Sequence, residues 1–442
     1  MRTYSYSQIW SIAYPILLST LMEQLMGMID TVFLGRVGEV ELGASALGSI
    51  FFVTIFMLGL GFSIGAQILM ARRNGQGHFS EIGSIFYHTQ AFLFLMAMAL
   101  FVFGVTLAPD ILRAIIRSPR VFEATDSYLQ WRIYSLFFAF IAATFRAFYV
   151  GTTKTSVLTL NAAIMVVCNV VFNYVLIFGY CGMPRLGIAG AAIGTTLAQA
   201  VSVVFFIVYT CLYTDCAQYG LASFPNFSIT TLHSIMKVSI WTMMQNFLSL
   251  ATWFFFFLAV EHLGEKSLAA TNVVRNLSSF TFMTVIALST TSGTIVSNLM
   301  GEGRIMEIPH TMRKIIRLTC FILTPFLLAE ILYPELFMRI FTDDDTILLE
   351  GRPALYVMVS SYIFTIPAQI LFHSVSGTGN TRTSLTIEFI SLFIYTVYVG
   401  VAILGFKVNL AWGWASEHVY QVVCLVLCYI YLKKANWQTT KI

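Results

Sequence analysis

The chain repeats itself at a fixed offset of 226 residues. Gly38-Glu39 returns as Gly264-Glu265, Leu42 as Leu268 and Met57 as Met283. Gly75-x-Gly77 returns as Gly301-x-Gly303, and Glu81-Ile82 as Glu307-Ile308. Gly151-Thr152 returns as Gly377-Thr378, and Thr155 as Thr381. An offset that survives over most of both halves of 442 residues means one structural unit used twice. Whatever the first half folds into, the second half must fold into as well.

Each half is built of long apolar runs. The chain is 58% hydrophobic and 10% charged, where a soluble domain carries about 25% charged residues. A membrane span needs about 20 mostly apolar residues. Such runs occur near 9–35, 45–71, 85–108, 127–150, 156–180 and 187–213. They recur near 233–262, 268–299, 313–336, 352–375, 383–406 and 409–432. The predicted fold is an all-α polytopic membrane protein of twelve transmembrane helices in two homologous six-helix lobes. The lobes are residues 1–213 and 233–442, joined by a linker at 214–232 that contains Gly220 and Pro225. Six spans per copy give the copies parallel topology, related by an axis along the membrane normal.

A net charge of +4, with the basic residues at helix ends, gives no surface for nucleic acid. The first apolar run, Ile9 to Leu34, exceeds a signal-peptide core of about 7–15 residues, and no small-residue cleavage site follows it. The seven cysteines show neither a disulfide framework nor zinc spacing, and Cys424 and Cys428 share a helical face suited to packing. Lys and Arg divide 14 to 11 in favour of the side that holds the termini, a count that includes Arg2, Arg117 and Lys441. That asymmetry places both termini in the cytoplasm.

Asp30 lies inside the first span, where a carboxylate costs about 2.5–3.5 kcal/mol on insertion scales and so needs a partner or a role. The fifth span carries Asn169 and Asn173, four apart and on one helical face, with Asn161 further along. A carboxyl group balanced between burial and hydrogen bonds can load and release a proton; the same oxygens could hold sodium. Pro15, mid-span, predicts a helix kink. Gln24, Gln67, Gln245 and Gln369 are candidate cavity residues. Trp241 and Met244, in an aromatic and methionine-rich seventh span, would suit lipophilic cations. Glu330 and Glu417 fall near span ends and read as interfacial. Glu388 lies deeper, with no partner visible, and His373 reads as a packed histidine. No catalytic triad, phosphate loop or metal-ligand cluster stands out.

Over essentially its whole length the chain resembles the bacterial type of the multidrug and toxic compound extrusion (MATE) family. The carrying residues are Pro15 followed by Asp30-Thr-Val-Phe-Leu-Gly35-Arg-Val-Gly38, then Gly65-Ala-Gln-Ile-Leu-Met-Ala-Arg-Arg-Asn-Gly75-Gln-Gly77 and Gly187-Ile-Ala-Gly190-Ala-Ala-Ile-Gly-Thr195. In the second half they are Gly301-Glu-Gly303 and Gly377-Thr-Gly379-Asn380-Thr381. The resemblance implies export of amphipathic and cationic organic compounds in exchange for protons or sodium, with no cofactor, from the bacterial inner membrane. It implies a cation-coupling site at Asp30, Asn169, Asn173 and Thr195, a kink at Pro15, and no metal beyond sodium at those four residues. Two lobes in one chain point to a monomer in the lipid bilayer. The chain departs from some members at Asn173, where they carry Asp. It also has Gln245 and Gln369 where some carry acids in the seventh and tenth spans. A flippase for a lipid-linked precursor is the alternative; it would want basic residues in a cavity, and Arg146 is the one candidate. A membrane enzyme is disfavoured by the absence of clustered His or acids.

Overall fold

A computed structural model describes residues 4–116, 118–435 and 437–439. Arg2, Arg117 and Lys441, which entered the charge count, lie outside the described residues. The first half forms α1 (Tyr6–Gly35), α2 (Glu39–Gln76), α3 (Phe79–Thr106), α4 (Ala108–Ile115), α5 (Pro119–Arg132), α6 (Ser135–Gly151), α7 (Ser156–Phe178) and α8 (Gly187–Tyr213). The second forms α9 (Ile229–Glu261), α10 (Glu265–Gly301), α11 (Ile308–Leu332), α12 (Pro334–Met338), α13 (Asp345–Gly377), α14 (Thr381–Val399), α15 (Leu410–Trp414) and α16 (Ser416–Lys434). A π-helical segment, Gly400–Gly405, continues α14. The described residues contain no strand.

Among the described residues eleven helical segments are long and apolar enough to cross a membrane, which makes this a multi-pass membrane protein. A twelfth span arises if α5 and α6, bent by 49°, are taken together. The sequence places one span at 127–150, across that bend. At the break Arg132 Nη1 donates to Ser135 Oγ at 3.0 Å, and Ser135 Oγ donates to the Arg132 carbonyl at 2.6 Å. The helices also outrun the apolar windows. α2 has 38 residues and α10 has 37.

The chain divides into two compact units: Leu18–Met243, and residues through Leu17 together with those from Met244 onward. Both divisions fall inside a helix, in α1 and in α9, and they are themselves 226 residues apart. The sequence-based lobes are instead bounded at the 214–232 linker.

The repeat is visible in backbone geometry. Gly77 after α2 has φ 74° and Gly303 after α10 has φ 72°, both left-handed. At each, the next residue's N–H reaches back five positions: His78 to the Arg73 carbonyl at 3.0 Å, and Arg304 to the Leu299 carbonyl at 2.9 Å. These helix closures suit glycine, which has no Cβ to strain. The matched Glu81 and Glu307 each take a cation: Arg73 at 2.8 Å and Arg304 at 2.7 Å. α13 opens on Asp344, whose side chain accepts from Thr346 N at 2.8 Å. Bonds from the Thr346 hydroxyl and backbone hold its carboxyl below the usual range.

One copy departs from the other. Gly379 has φ 87°, while its counterpart Thr153 holds φ 60°. A left-handed conformation costs a side-chain-bearing residue roughly 1–2 kcal/mol. Thr153→Gly is therefore expected to raise the thermal midpoint of the purified protein; a lower midpoint would refute the strain.

Packing within each unit follows small residues. α7 approaches α8 over Gly190 and Gly194, where an added methyl would strike Leu176 and Asn173. α10 approaches α13 backbone to backbone at Gly293 and Gly377. Such residues let membrane helices come close without a hydrophobic driving force. Cys424 and Cys428 are fully buried with Phe372, Val375 and Ile387.

Candidate functional site

Three helices of the first unit meet at Asp30, and their sequences show why. On α1, Met26, Asp30 and Leu34 recur every fourth residue. On α7, Met165, Asn169, Asn173 and Ile177 do the same. On α8 the corresponding face is Ala191, Thr195 and Ala198. The outer members are apolar. Leu34, Ile177 and Ala191 belong to one packed cluster, and Met26, Met165 and Ala198 to another. The polar residues lie between the two clusters along each helix, so the apolar packing above and below fixes their register.

The four polar side chains close a ring. Asn173 Nδ2 donates to Asp30 Oδ1 at 2.5 Å and to Asn169 Oδ1 at 3.2 Å. Asn169 Nδ2 donates to Thr195 Oγ1 at 3.1 Å. Thr195 Oγ1 donates to Asp30 Oδ2 at 3.1 Å. Asn169 and Asn173 are wholly buried and Thr195 is 2% exposed. Every bond runs toward the carboxylate, which accepts through both oxygens, as an ionised acid must. The Thr195 hydroxyl has a second acceptor, the Ala191 carbonyl, at 2.9 Å. Asn173 Oδ1 has no hydrogen-bond partner among the described residues and faces Gly194.

Pro15 lies within α1, which continues unbroken through it. Gln24 is exposed on α1, Gln67 is buried in α2, and Trp241 is partly exposed in α9. Met244, also on α9, is 48% exposed and begins the second unit's share of that helix. The structure brings two of the candidates together: Gln245 and Gln369 line one cavity of about 360 Å³ in the second unit.

That cavity holds what sequence reading missed. Glu388 lines it, 2% exposed, and accepts from Ser249 Oγ at 2.5 Å and from Tyr420 OH at 2.8 Å. Ser249 lies 139 residues away in sequence, so no local signal could pair them. Glu417 and Arg275 line the same cavity; Glu417 is therefore a cavity residue rather than an interfacial one. Glu330 is likewise fully buried, not interfacial, on α11, a helix that packs against α10 and α13. Neither of its oxygens has a hydrogen-bond partner among the described residues. His373 Nδ1 donates to the Gln369 carbonyl, 3.0 Å away, and His373 also lines the cavity. Among the described residues no three of His, Cys, Asp and Glu converge as metal ligands. In the first unit, Arg146 is paired with Glu23 at 3.0 Å.

Known proteins give the same picture of a doubled chain. The MatE family model matches residues 15–175 and again residues 241–401, two segments that start and end 226 residues apart. The probable multidrug resistance protein NorM of Pasteurella multocida is 24% identical over 399 residues, covering 87% of this chain and 83% of the relative. The protein of the same description from Thermotoga maritima is 22% identical over 430 residues, covering 97% and 92%. A solved structure described as the outward-facing conformation of a multidrug resistance MATE family transporter of the MOP superfamily shares the fold. Its TM-score is 0.88 at 16% identity, over 98% of this chain and 96% of that one.

Proposed function

The chain belongs to the MatE family, and from that premise we propose that it is a cation-coupled antiporter. It exports small amphipathic or cationic organic compounds by alternating access. The observation that carries this reading is the ring around Asp30, because it is complete in two protonation states. With Asp30 ionised, Asn173 and Thr195 donate to its two oxygens. With a proton on Oδ2, that O–H donates to Thr195 Oγ1, and the threonine turns its own hydrogen to the Ala191 carbonyl. No buried group is orphaned by the change, which is what makes loading and release cheap. The coupling ion on this reading is the proton, with sodium at Asp30, Asn169, Asn173 and Thr195 as the competing outcome of the test.

The driving force is adequate. One entering charge gains about 2.3 kcal/mol per 100 mV, and a pH unit adds about 1.4 kcal/mol per proton. For a substrate without net charge the two together sustain a gradient of hundreds-fold, at about 1.4 kcal/mol per factor of ten; for a monovalent cation the exchange moves no net charge, and each pH unit sustains about ten-fold. Pro15 is the proposed kink of α1. Gln24, Gln67, Trp241, Met244, Gln245 and Gln369 are the proposed substrate contacts. The setting is the bacterial inner membrane, with both termini cytoplasmic, lobes at 1–213 and 233–442, and a monomer as the working unit. The flippase alternative loses its one candidate phosphate ligand, since Arg146 is already paired with Glu23.

Ethidium transport by energised vesicles tests this, with an imposed pH gradient alone and then a sodium gradient alone. Transport under the pH gradient is expected. Transport under sodium alone would overturn the proton, and transport under neither would overturn the exporter. Thr195→Val removes one donor to the carboxylate and the acceptor of Asn169. A hydrogen bond to a charged group contributes about 1.5–3 kcal/mol, so the exchange rate should fall at least ten-fold. Thr195→Ser should restore most of it. Equal rates in the valine and serine variants would count against the ring.

A further inference from the structure

The second unit does not reproduce the Asp30 ring. At the repeat offset Asp30 becomes Phe256, Asn169 becomes Tyr395, Asn173 becomes Val399 and Thr195 becomes Gln421. Phe256 stacks edge-on with Trp414 at 5.5 Å and lies 6.3 Å from Tyr395. The cavity beside them carries its own charges instead, at Arg275, Glu388 and Glu417. Their counterparts in the first copy are Ser49, Ala162 and Ala191, none of them ionisable. The charges therefore belong to this cavity and are not inherited from the shared plan.

None of the three forms an ion pair within 4.0 Å among the described residues. The Arg275 guanidinium sits 5.4 Å over the Phe257 ring, and its Nε is buried with no hydrogen-bond partner. Glu388 receives two hydroxyl bonds but no cation. Three more buried polar atoms of the lining have no partner among the described residues: Gln245 Oε1, Tyr395 OH and Trp414 Nε1. A buried charge is tolerated when it is paired and hydrogen-bonded. A plain organic cation would answer the glutamates and leave Arg275 as it is. A plain anion would do the reverse. At about 360 Å³ the cavity sits at the small end of ligand pockets, which span about 300–1,000 Å³, so the ligand is compact.

We propose that this cavity is a binding site for a small zwitterion of the ammonium–carboxylate class, its cationic group at Glu388 and Glu417 and its anionic group at Arg275. The guanidinium fork matches a carboxylate in two-point geometry. The tyrosines and tryptophan supply faces for an ammonium or an apolar side chain. This goes beyond the exporter reading, and binding is read with no gradient imposed. A failed ethidium assay would leave it standing, and its failure would leave the exporter standing.

The test uses full-length protein in lipid nanodiscs, titrated with L-phenylalanine, its methyl ester and N-acetyl-L-phenylalanine. The three share a scaffold and differ in charge. Binding is measured by calorimetry and by the shift in thermal midpoint. The zwitterion is expected to bind at least ten-fold more tightly than either single-charge analogue. That preference should vanish in Arg275→Gln and Glu388→Gln and survive in part in Arg275→Lys, each variant first shown to elute as wild type does. Equal affinity for the ester would overturn the proposal in favour of a simple cation site. Retention of the preference in Arg275→Gln would overturn it as well. So would failure of L-phenylalanine to bind or to shift wild type.

Discussion

Vesicles carrying Asp30→Asn are expected to transport ethidium no faster than vesicles without the protein, while the purified variant elutes and unfolds as wild type does. The amide fits the ring. Its oxygen accepts from Asn173 Nδ2, its nitrogen donates to Thr195 Oγ1, and Thr195 turns to the Ala191 carbonyl. That is the bonding pattern of the protonated acid, reached with no change of volume. The variant is thus held permanently in the loaded form. Coupled exchange needs both forms, so the loss should be complete rather than graded, and substrate binding should persist. Export by Asp30→Asn at the wild-type rate and at matched expression would remove Asp30 from the mechanism.

Gly377→Val should leave no monodisperse protein to assay. A Cβ at this position would fall on the backbone of Gly293 in the facing helix. Both partners lie inside or at the end of long helices, α10 and α13, so neither can move aside locally. Overpacking usually costs about 1–3 kcal/mol when side chains can adjust; here the obstacle is main chain, and whole helices must part. The first copy provides the control. Gly151 occupies the equivalent place, and its nearest neighbours are the Gln67 carbonyl at 3.1 Å and Ala71 N at 3.2 Å. Gly151→Ala should therefore cost some stability and keep the fold. A Gly377→Val protein that elutes and melts as wild type does would show that the α10–α13 crossing is looser than its geometry.

The residues of the Asp30 ring were readable because each sits in a pattern that a single helix makes visible. Asn169 and Asn173 are four apart, Asp30 is a lone acid in an apolar run, and Thr195 follows a glycine-rich stretch. The helices were readable for the same reason; α8 begins and ends where the apolar run does. What escaped was tertiary. Glu388 looks isolated in its own span because Ser249 and Tyr420 come from α9 and α16. Glu330 lies near a helix end, where exposure is the ordinary expectation, yet it is fully buried in the packed second unit. At the bend between α5 and α6 an arginine side chain reaches Ser135, a contact that apolar periodicity does not register.

The lengths of α2 and α10 bear on how this protein meets lipid. At 1.5 Å per residue, 38 and 37 residues extend about 57 and 55 Å, against a hydrocarbon layer about 30 Å thick. Even at the steepest usual tilt, about 40°, each would still reach well past the acyl chains. The surplus stands in the headgroup layer and in water as rigid rod. At the far end of each rod are the left-handed glycine closure and its arginine–glutamate clamp. Bilayer thickness therefore does not dictate where these helices stop. Their stopping points are written in the chain at Gly77 and Gly303, so a thicker or thinner membrane slides along a ruler whose length the protein sets.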